Sequence, residues 1–186
     1  MARLPYLTTD DLAPEDRELL SRNLNLYYEL AHSPDGARAF AAPALYIRHD
    51  SKLDPRLREL AILQVGYASR VEYEYVHHIE IAKGAGVTDE DIRAIALESA
   101  GKPSELGCIE RTVLAAAREI VDRPEISDDT FAALRAELDE ELIVDLMIAI
   151  SFYCGVVRLL GVLQIDLEES YKHYLKDFPL PVSSSS

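Results

Sequence analysis

A continuous apolar stretch near the carboxyl end constrains the fold more than any other feature of this sequence. Residues 142–163, LIVDLMIAISFYCGVVRLLGVL, are long enough to cross a bilayer as a helix. Asp145 and Arg158 interrupt the stretch, and each would be costly in lipid. Acidic segments flank it on both sides. We therefore predict a buried helix of a soluble protein, covered in part by another subunit.

Start and stop signals for helices recur along the whole chain, whereas no segment predicts a strand. Asp54 followed by Pro55 is typical of a helix N-terminus. The segment SRVE at 69–72 predicts a capping box that opens the next helix. Eight helices are predicted. The first four cover about 14–32, about 36–49, a segment that begins at 54, and the segment from 69 to Gly84 or Gly86. The last four cover Thr88 to about Ser99, about 104–122, a segment that begins at Ser127, and 139–174. The sequence therefore predicts an all-α, single-domain protein.

Composition limits both the partners and the compartment. With 186 residues and 48% hydrophobic side chains, the chain suits one domain with a substantial core. A net charge of −14 argues against nucleic acid, which needs clustered Lys and Arg, and against anionic membrane surfaces. Cys108 and Cys154 lie far apart, without a CxxC motif or zinc-type spacing, which fits a reducing cytosol. The N-terminal residues show no signal peptide, so we expect a cytoplasmic protein.

The segment RVEYEYVHHIEIAKGAG, residues 70–86, places two adjacent histidines on a predicted helix. At about 100° per residue, His78 lies beside the apolar stripe of this helix, and Glu74 lies one turn below it on the same side. His77 points away from the stripe. We therefore predict that His78 faces the protein interior and that His77 does not.

Glu59 is the third polar residue of interest, because the helix around it is apolar nearly all round from 57 to 65. Carboxylates are rarely buried without a partner or a task. Burial would raise the pKa of Glu59 and make it a candidate acid or base, unless an arginine neutralises it. The arginines that could do so are Arg56, Arg58, Arg70 and Arg158.

The positions of these residues around the predicted helix break predict a shared site. Glu59 lies about as far before Ser69 as His78 lies after it. Two antiparallel helices joined at this break would bring the two side chains to the same height. We predict one pocket that contains both, with Glu74 close to His78 and His77 outside.

Together these residues resemble the carboxymuconolactone decarboxylase and alkylhydroperoxidase D superfamily. Such proteins are all-helical and assemble as trimers or hexamers, so the resemblance implies an alkylhydroperoxidase D-like helical bundle that forms a homo-oligomer. The similarity rests on LRELAIL at 57–63 and VEYEYVHHIEIAKGAGVTDEDI at 71–92, with weaker support at 128–134 and 151–163. We expect an N-terminal helical extension at 1–35, the decarboxylase-like domain at 36–175 and a disordered tail at 176–186.

The peroxidase branch of this superfamily carries a C-x-x-C pair, with a Glu before it and a His after it. The resemblance aligns that Glu with Glu59 and that His with His78, so the two cysteine positions fall on Val71 and Glu74. Neither residue is a thiol, and dithiol peroxide reduction would have no nucleophile or resolving group. A peroxidase function is therefore disfavoured.

The Tyr-Glu pair followed by His78 is more similar to the decarboxylase branch. Those enzymes act without a cofactor on small carboxylated lactones. The resemblance implies that His78 shuttles the proton, that Glu74 orients the His78 ring, and that Glu59 acts as a second acid or base. Substrate binding would fall to Tyr73, which lines the pocket, and to Arg158, which would bind the carboxylate unless it forms an ion pair between helices.

Two alternatives remain open from the sequence. A family member that kept the scaffold but lost catalysis would also have lost both redox cysteines. A metal site would use the E-x-x-H motifs Glu74–His77 and Glu29–His32, which occur in pairs in helical di-iron proteins. Such a motif arises easily by chance in a chain with 33 acidic residues, and His77 points away from the core, so we predict no metal site.

Overall fold

The computed structural model describes residues 1–181, and this part of the chain contains helices and no β-strand. The α-helices are α1 (Asn25–Leu30), α2 (Pro34–Leu45), α3 (Pro55–Ser69), α4 (Glu72–Gly84), α5 (Asp89–Ser99), α6 (Cys108–Asp122), α7 (Asp128–Glu137), α8 (Glu140–Leu163) and α9 (Tyr174–Asp177). Short 3-10 helices occupy Thr9–Asp11, Pro14–Leu20 and Glu169–Tyr171, and a π-helix occupies Tyr46–Asp50. The all-α prediction is confirmed.

The central helix is α3, which packs against α4, α6 and α8. Its N-terminus forms as predicted, because the Asp54 side chain accepts hydrogen bonds from the backbone N–H groups of Arg56 and Leu57. Every residue from 57 to 67 is buried. A helix buried on all sides must be surrounded by others, so α3 fixes the centre of the bundle.

The turn between α3 and α4 differs from the prediction. Arg70 adopts a left-handed conformation with φ 55° and reverses the chain, and Val71 rather than Ser69 is the N-cap of α4, without a side-chain cap. The two helices nevertheless pack closely and antiparallel. A Cβ at Gly66 would lie 3.0 Å from backbone atoms of Tyr75, so glycine permits this close approach.

Helix α8 contains the apolar stretch and is long and apolar enough to cross a membrane by length and composition. In the bundle it packs against α3, and its Asp145 is buried. That carboxylate accepts hydrogen bonds from Tyr46, Ser51 and the backbone N–H of Lys52. A buried acid with this many donors belongs to a packed protein interior.

Three predicted boundaries are wrong. Helix α8 ends at Leu163 rather than 174, because Gln164 adopts φ 54°. The predicted helix 14–32 is split by Asn23, which adopts φ 52° and separates a 3-10 turn from α1. The predicted disordered tail begins too early, since α9 covers Tyr174–Asp177 and Phe178 is buried. The rest of that tail, residues 182–186, lies outside the described residues.

Candidate active site

The α3–α4 pair brings Glu59 and His78 together. His78 Nδ1 donates to Glu59 Oε2 at 2.8 Å, and both side chains are buried. The predicted juxtaposition of the two residues is confirmed. It follows from the local geometry, because positions equally distant from a tight helical reversal lie side by side.

The second ring nitrogen of His78 also faces a carboxylate. His78 Nε2 lies 3.0 Å from Glu74 Oε1, one turn away on α4, as predicted. This N–H is not aligned with the oxygen, and Glu74 Oε1 has no hydrogen-bond partner among residues 1–181. Burial alone would lower the pKa of His78, but the Glu74 and Glu59 carboxylates outweigh it and raise the pKa from 6.5 to about 9. The ring is therefore an imidazolium at neutral pH.

Glu59 is neutralised by Arg58, one of the candidate arginines. Arg58 Nε lies 2.9 Å from Glu59 Oε1, and its second nitrogen donates to the backbone carbonyls of Ile47 and Arg48, each at 3.3 Å. Burial alone would raise the pKa of Glu59, but His78 and Arg58 hold it below its usual value. Glu59 is thus a fixed anion behind the imidazole rather than a free acid.

A cavity of about 480 Å³ lies against Glu74 and His78. His78 lines this cavity and Glu59 does not, so the prediction that both residues face one pocket is wrong for Glu59. The cavity walls are mostly aromatic and apolar. The lining residues are Arg22, Leu24, Leu26, Tyr27, Phe40, Ala44, Arg48, Tyr73, Glu74, His77, His78, Glu80, Ile81, Phe152, Tyr153, Val156 and Tyr171.

His77 also lines this cavity, contrary to the prediction that it lies outside. Its ring is stacked between Tyr73 and Tyr171, with centroid distances of 4.1 and 4.0 Å. Nδ1 donates to the Tyr73 carbonyl at 2.7 Å, and Nε2 lies 3.0 Å from Glu168 Oε2. The segment that carries Tyr171 and Glu168 comes from beyond α8. Because it covers the outer face of α4, helix geometry alone could not locate His77.

Glu168 joins three parts of the chain above the cavity. Its Oε1 accepts hydrogen bonds from the backbone N–H of Asn25 at 2.7 Å and from the Tyr73 hydroxyl at 3.0 Å. Burial alone would raise the pKa of Glu168, but the contact with His77 and the bond from Asn25 hold it below its usual value. No pattern in the sequence indicates this residue, because its partners are distant along the chain.

The two predicted substrate-binding residues lie in different places. Tyr73 lines the cavity, although its hydroxyl is already bonded to Glu168. Arg158 does not reach the cavity: its guanidinium donates to the Cys154 carbonyl at 2.6 Å and lies beside Pro124 on another surface. A half-buried arginine that does line the cavity is Arg48, on the π-helix.

No group of three or more His, Cys, Asp or Glu side chains within residues 1–181 is arranged to hold a metal ion. The histidines of the two E-x-x-H motifs have other contacts. His77 Nδ1 donates to the Tyr73 carbonyl and its Nε2 lies 3.0 Å from Glu168, and the His32 ring nitrogen Nε2 contacts the Pro5 carbonyl at 2.9 Å. The described residues therefore give the di-iron alternative no support.

Comparison with known proteins finds one family model and several solved structures that are similar to this chain. Residues 34–119 match the model of the carboxymuconolactone decarboxylase family. The alkylhydroperoxidase AhpD core of an uncharacterized peroxidase-related protein from Ralstonia eutropha JMP134 is similar in structure, with a TM-score of 0.77, 20% identity, and coverage of 97% of this chain and 98% of that one. The matched segment is thus similar to the carboxymuconolactone decarboxylase family, and the whole chain has the fold of the alkylhydroperoxidase core.

Two further solved structures have a similar fold. An uncharacterized peroxidase-related protein from Silicibacter sp. TM1040 has a TM-score of 0.77 and 18% identity, with 91% of this chain and 93% of that chain covered. A cysteine-to-alanine variant of the debrominase Bmp8, in complex with 2,3,4-tribromopyrrole, has a TM-score of 0.78 and 18% identity, with 96% and 100% covered. Among curated proteins, none matches the chain significantly. At these identities the likeness establishes the fold.

Within the superfamily fold, the positions that resemble the redox pair carry no sulfur. Val71 is the half-buried N-cap of α4, and Glu74 is buried at the cavity wall. Cys108 is exposed on α6 and Cys154 is buried on α8, and neither lines the cavity. Burial raises the pKa of the Cys154 thiol, which makes it a poorer nucleophile.

Proposed function

We propose that this chain is an acid/base enzyme, working without a cofactor, that acts on a small carboxylated or lactone-type molecule. The observation that carries the proposal is the His78 imidazolium flanked by Glu59 and Glu74 beside the cavity. A buried imidazole between two carboxylates is suited to proton transfer. A family member without catalysis would need no cavity against this group, so the cavity supports the enzyme.

In this mechanism His78 is the proton donor. Glu59 holds the proton on Nδ1, so Nε2 is the nitrogen that gives up its proton and regains it. When the bond to a carboxylate carbon breaks, CO₂ leaves and the electron pair remains on the substrate as a carbanion or dienolate. That carbon takes the Nε2 proton, and the neutral imidazole is protonated again from solvent. Glu74 lies at the cavity wall next to Nε2 and stabilises the charged ring.

The test measures CO₂ release from a panel of small carboxylated lactones, together with deuterium incorporation from D₂O. We expect His78→Gln to lower turnover about 10²-fold or more. Glu74→Gln provides a second, isosteric variant at the cavity wall. His49→Gln is the matched control, because His49 is exposed and outside the cavity.

Circular dichroism and melting temperatures show whether each variant folds. Equal turnover in wild type and folded His78→Gln would rule out the proposed role of His78. Absence of turnover in the wild type across the panel would count against a decarboxylase-type function.

A further inference from the structure

The cavity is lined by two groups of aromatic rings. In the first group, the ring centroid of Phe40 lies 5.3 Å from that of Phe152, and the centroid of Tyr153 lies 5.4 Å from that of Phe152 and 4.8 Å from that of His78. In the second group, the His77 ring lies against both Tyr73 and Tyr171. These rings offer flat apolar surfaces to a ligand. They favour a flat, aromatic ligand, since aromatic rings interact best in offset or edge-to-face geometry.

Arg48 supplies positive charge at the same cavity. It is half-buried, and no carboxylate of residues 1–181 lies within ion-pair distance of its guanidinium. Arg22, the other arginine at the cavity, is exposed and bonded to the Tyr27 hydroxyl at 2.8 Å. A half-buried arginine without a protein anion, in a chain of net charge −14, is a site for an anion from outside.

Hydrogen bonds connect the backbone around Arg48 to Arg58, and through Arg58 to Glu59 and His78. Arg58 donates to the carbonyls of Ile47 and Arg48 and also pairs with Glu59, which in turn binds His78. The π-helical turn therefore has a fixed position relative to the imidazole. π-turns occur often at functional sites, where they direct a side chain that a regular helix would turn away.

We infer that the ligand of this cavity is a planar aromatic carboxylate, whose carboxylate binds Arg48 and whose ring lies against the aromatic walls. This inference rests on the proposed function, because it assigns the substrate class of the same site. The volume of about 480 Å³ accommodates a one- or two-ring acid and falls within the range of about 300–1,000 Å³ typical of ligand pockets. Guanidinium recognises carboxylate through two parallel hydrogen bonds, which an amide cannot replace.

The test compares binding of matched probes by calorimetry and ligand-observed NMR. The probes are benzoate and 2-naphthoate, their amides, and cyclohexanecarboxylate as the saturated acid. We expect the aromatic acids to bind about tenfold or more tightly than the amides and the saturated acid. We expect Arg48→Gln to weaken binding of the aromatic acids by a similar factor, and Arg48→Lys to restore part of it.

Arg158→Gln is the matched control, because Arg158 lies on another surface and should leave binding unchanged. Folding of each variant is checked by circular dichroism, and Arg48→Lys keeps the test valid if Arg48→Gln fails to fold. No binding of either aromatic acid at millimolar concentration, equal binding of acids and amides, or equal binding of benzoate and the saturated acid would overturn the inference.

Binding and turnover separate this inference from the proposed function. Tight binding of aromatic acids by a wild type that turns over none of the carboxylated panel would leave the ligand class standing and refute the acid/base reaction. Turnover of saturated lactones by a wild type that binds neither aromatic acid would support the acid/base reaction and refute the ligand class.

Discussion

At the residue scale, His78 is unusual because both of its ring nitrogens face carboxylates. An imidazole in this position keeps its proton until the solution is well above neutral. It therefore serves as a donor at physiological pH and becomes a base only after it has given up that proton. Such a group suits a reaction in which the substrate loses an electrophile, such as CO₂, before it gains a proton.

The raised pKa of His78 predicts a pH-dependent stability. The folded-state pKa of about 9 lies above the unfolded value of about 6.5. The contribution of protonated His78 to the stability of the folded state is therefore complete below about pH 6.5 and is lost as the pH rises through about 9. We expect the difference in unfolding free energy between wild type and His78→Gln, measured in urea, to shrink between pH 6 and pH 10. A difference that stays constant over this range would contradict the raised pKa.

The absence of a thiol pair predicts that the chain is not a dithiol peroxidase. Val71 and Glu74, which the resemblance aligns with the redox cysteines, carry no thiol, and Cys108 and Cys154 lie outside the cavity. We expect no hydroperoxide consumption above buffer with dithiothreitol as reductant. Robust consumption that Cys108→Ala or Cys154→Ala abolishes would disprove this prediction.

The residues of the site differ in how far the sequence could locate them. The Glu74–His78 pair follows from one helical turn, and the Glu59–His78 bond follows from equal distances around one reversal. Arg48 depends on a π-turn that no periodicity indicates, and Glu168 depends on packing between distant segments. The carboxylate-binding role assigned to Arg158 was wrong for a similar reason: its helix was identified, but not the direction of its side chain.

At the element scale, the separation of α3 and α4 sets the distance between Glu59 and His78. These helices lie close together at Gly66, where an added Cβ would meet the Tyr75 backbone. Backbone atoms cannot rotate away as a side chain can, so any larger residue must push the two helices apart.

Gly66→Ala is therefore expected to destabilise the protein by about 1–3 kcal/mol and to lower turnover by misplacing His78. Gly84→Ala is the matched control, because it lies on α4 with no atom within 4 Å of the added Cβ. It should leave turnover unchanged and stability equal or slightly higher. Urea denaturation and turnover of both variants check the prediction, and a Gly66→Ala protein with wild-type stability would refute the packing argument.

The boundaries of the elements show where sequence patterns reach their limit. The start of α3 was predicted correctly because Asp54 and Pro55 act locally. The ends set by Asn23 and Gln164 were missed, since both residues adopt a left-handed conformation that their neighbours in sequence do not require.

At the scale of the whole molecule, α8 is incompletely covered. Its apolar core segment has a mean hydropathy of 2.1, yet only 44% of that segment is buried. Val144, Ile148 and Val162 are 56%, 39% and 59% exposed. Exposed apolar surface of this kind usually marks an interaction site.

We propose that a second copy of the chain covers this face, in a homo-oligomer that is a trimer or a hexamer. Light scattering at micromolar concentration should show the oligomer, and Ile148→Glu should shift it towards monomer. Leu97→Glu is the control, because Leu97 has the same exposure of 39% but lies on α5. A monomeric wild type would contradict the proposal.

The charges around His78 sum to zero, because Arg58 and the imidazolium are balanced by Glu59 and Glu74. Removing any one member leaves a net charge in a buried place, at a cost of about 3–5 kcal/mol. Among related chains, these four positions should consequently change in compensating pairs rather than singly.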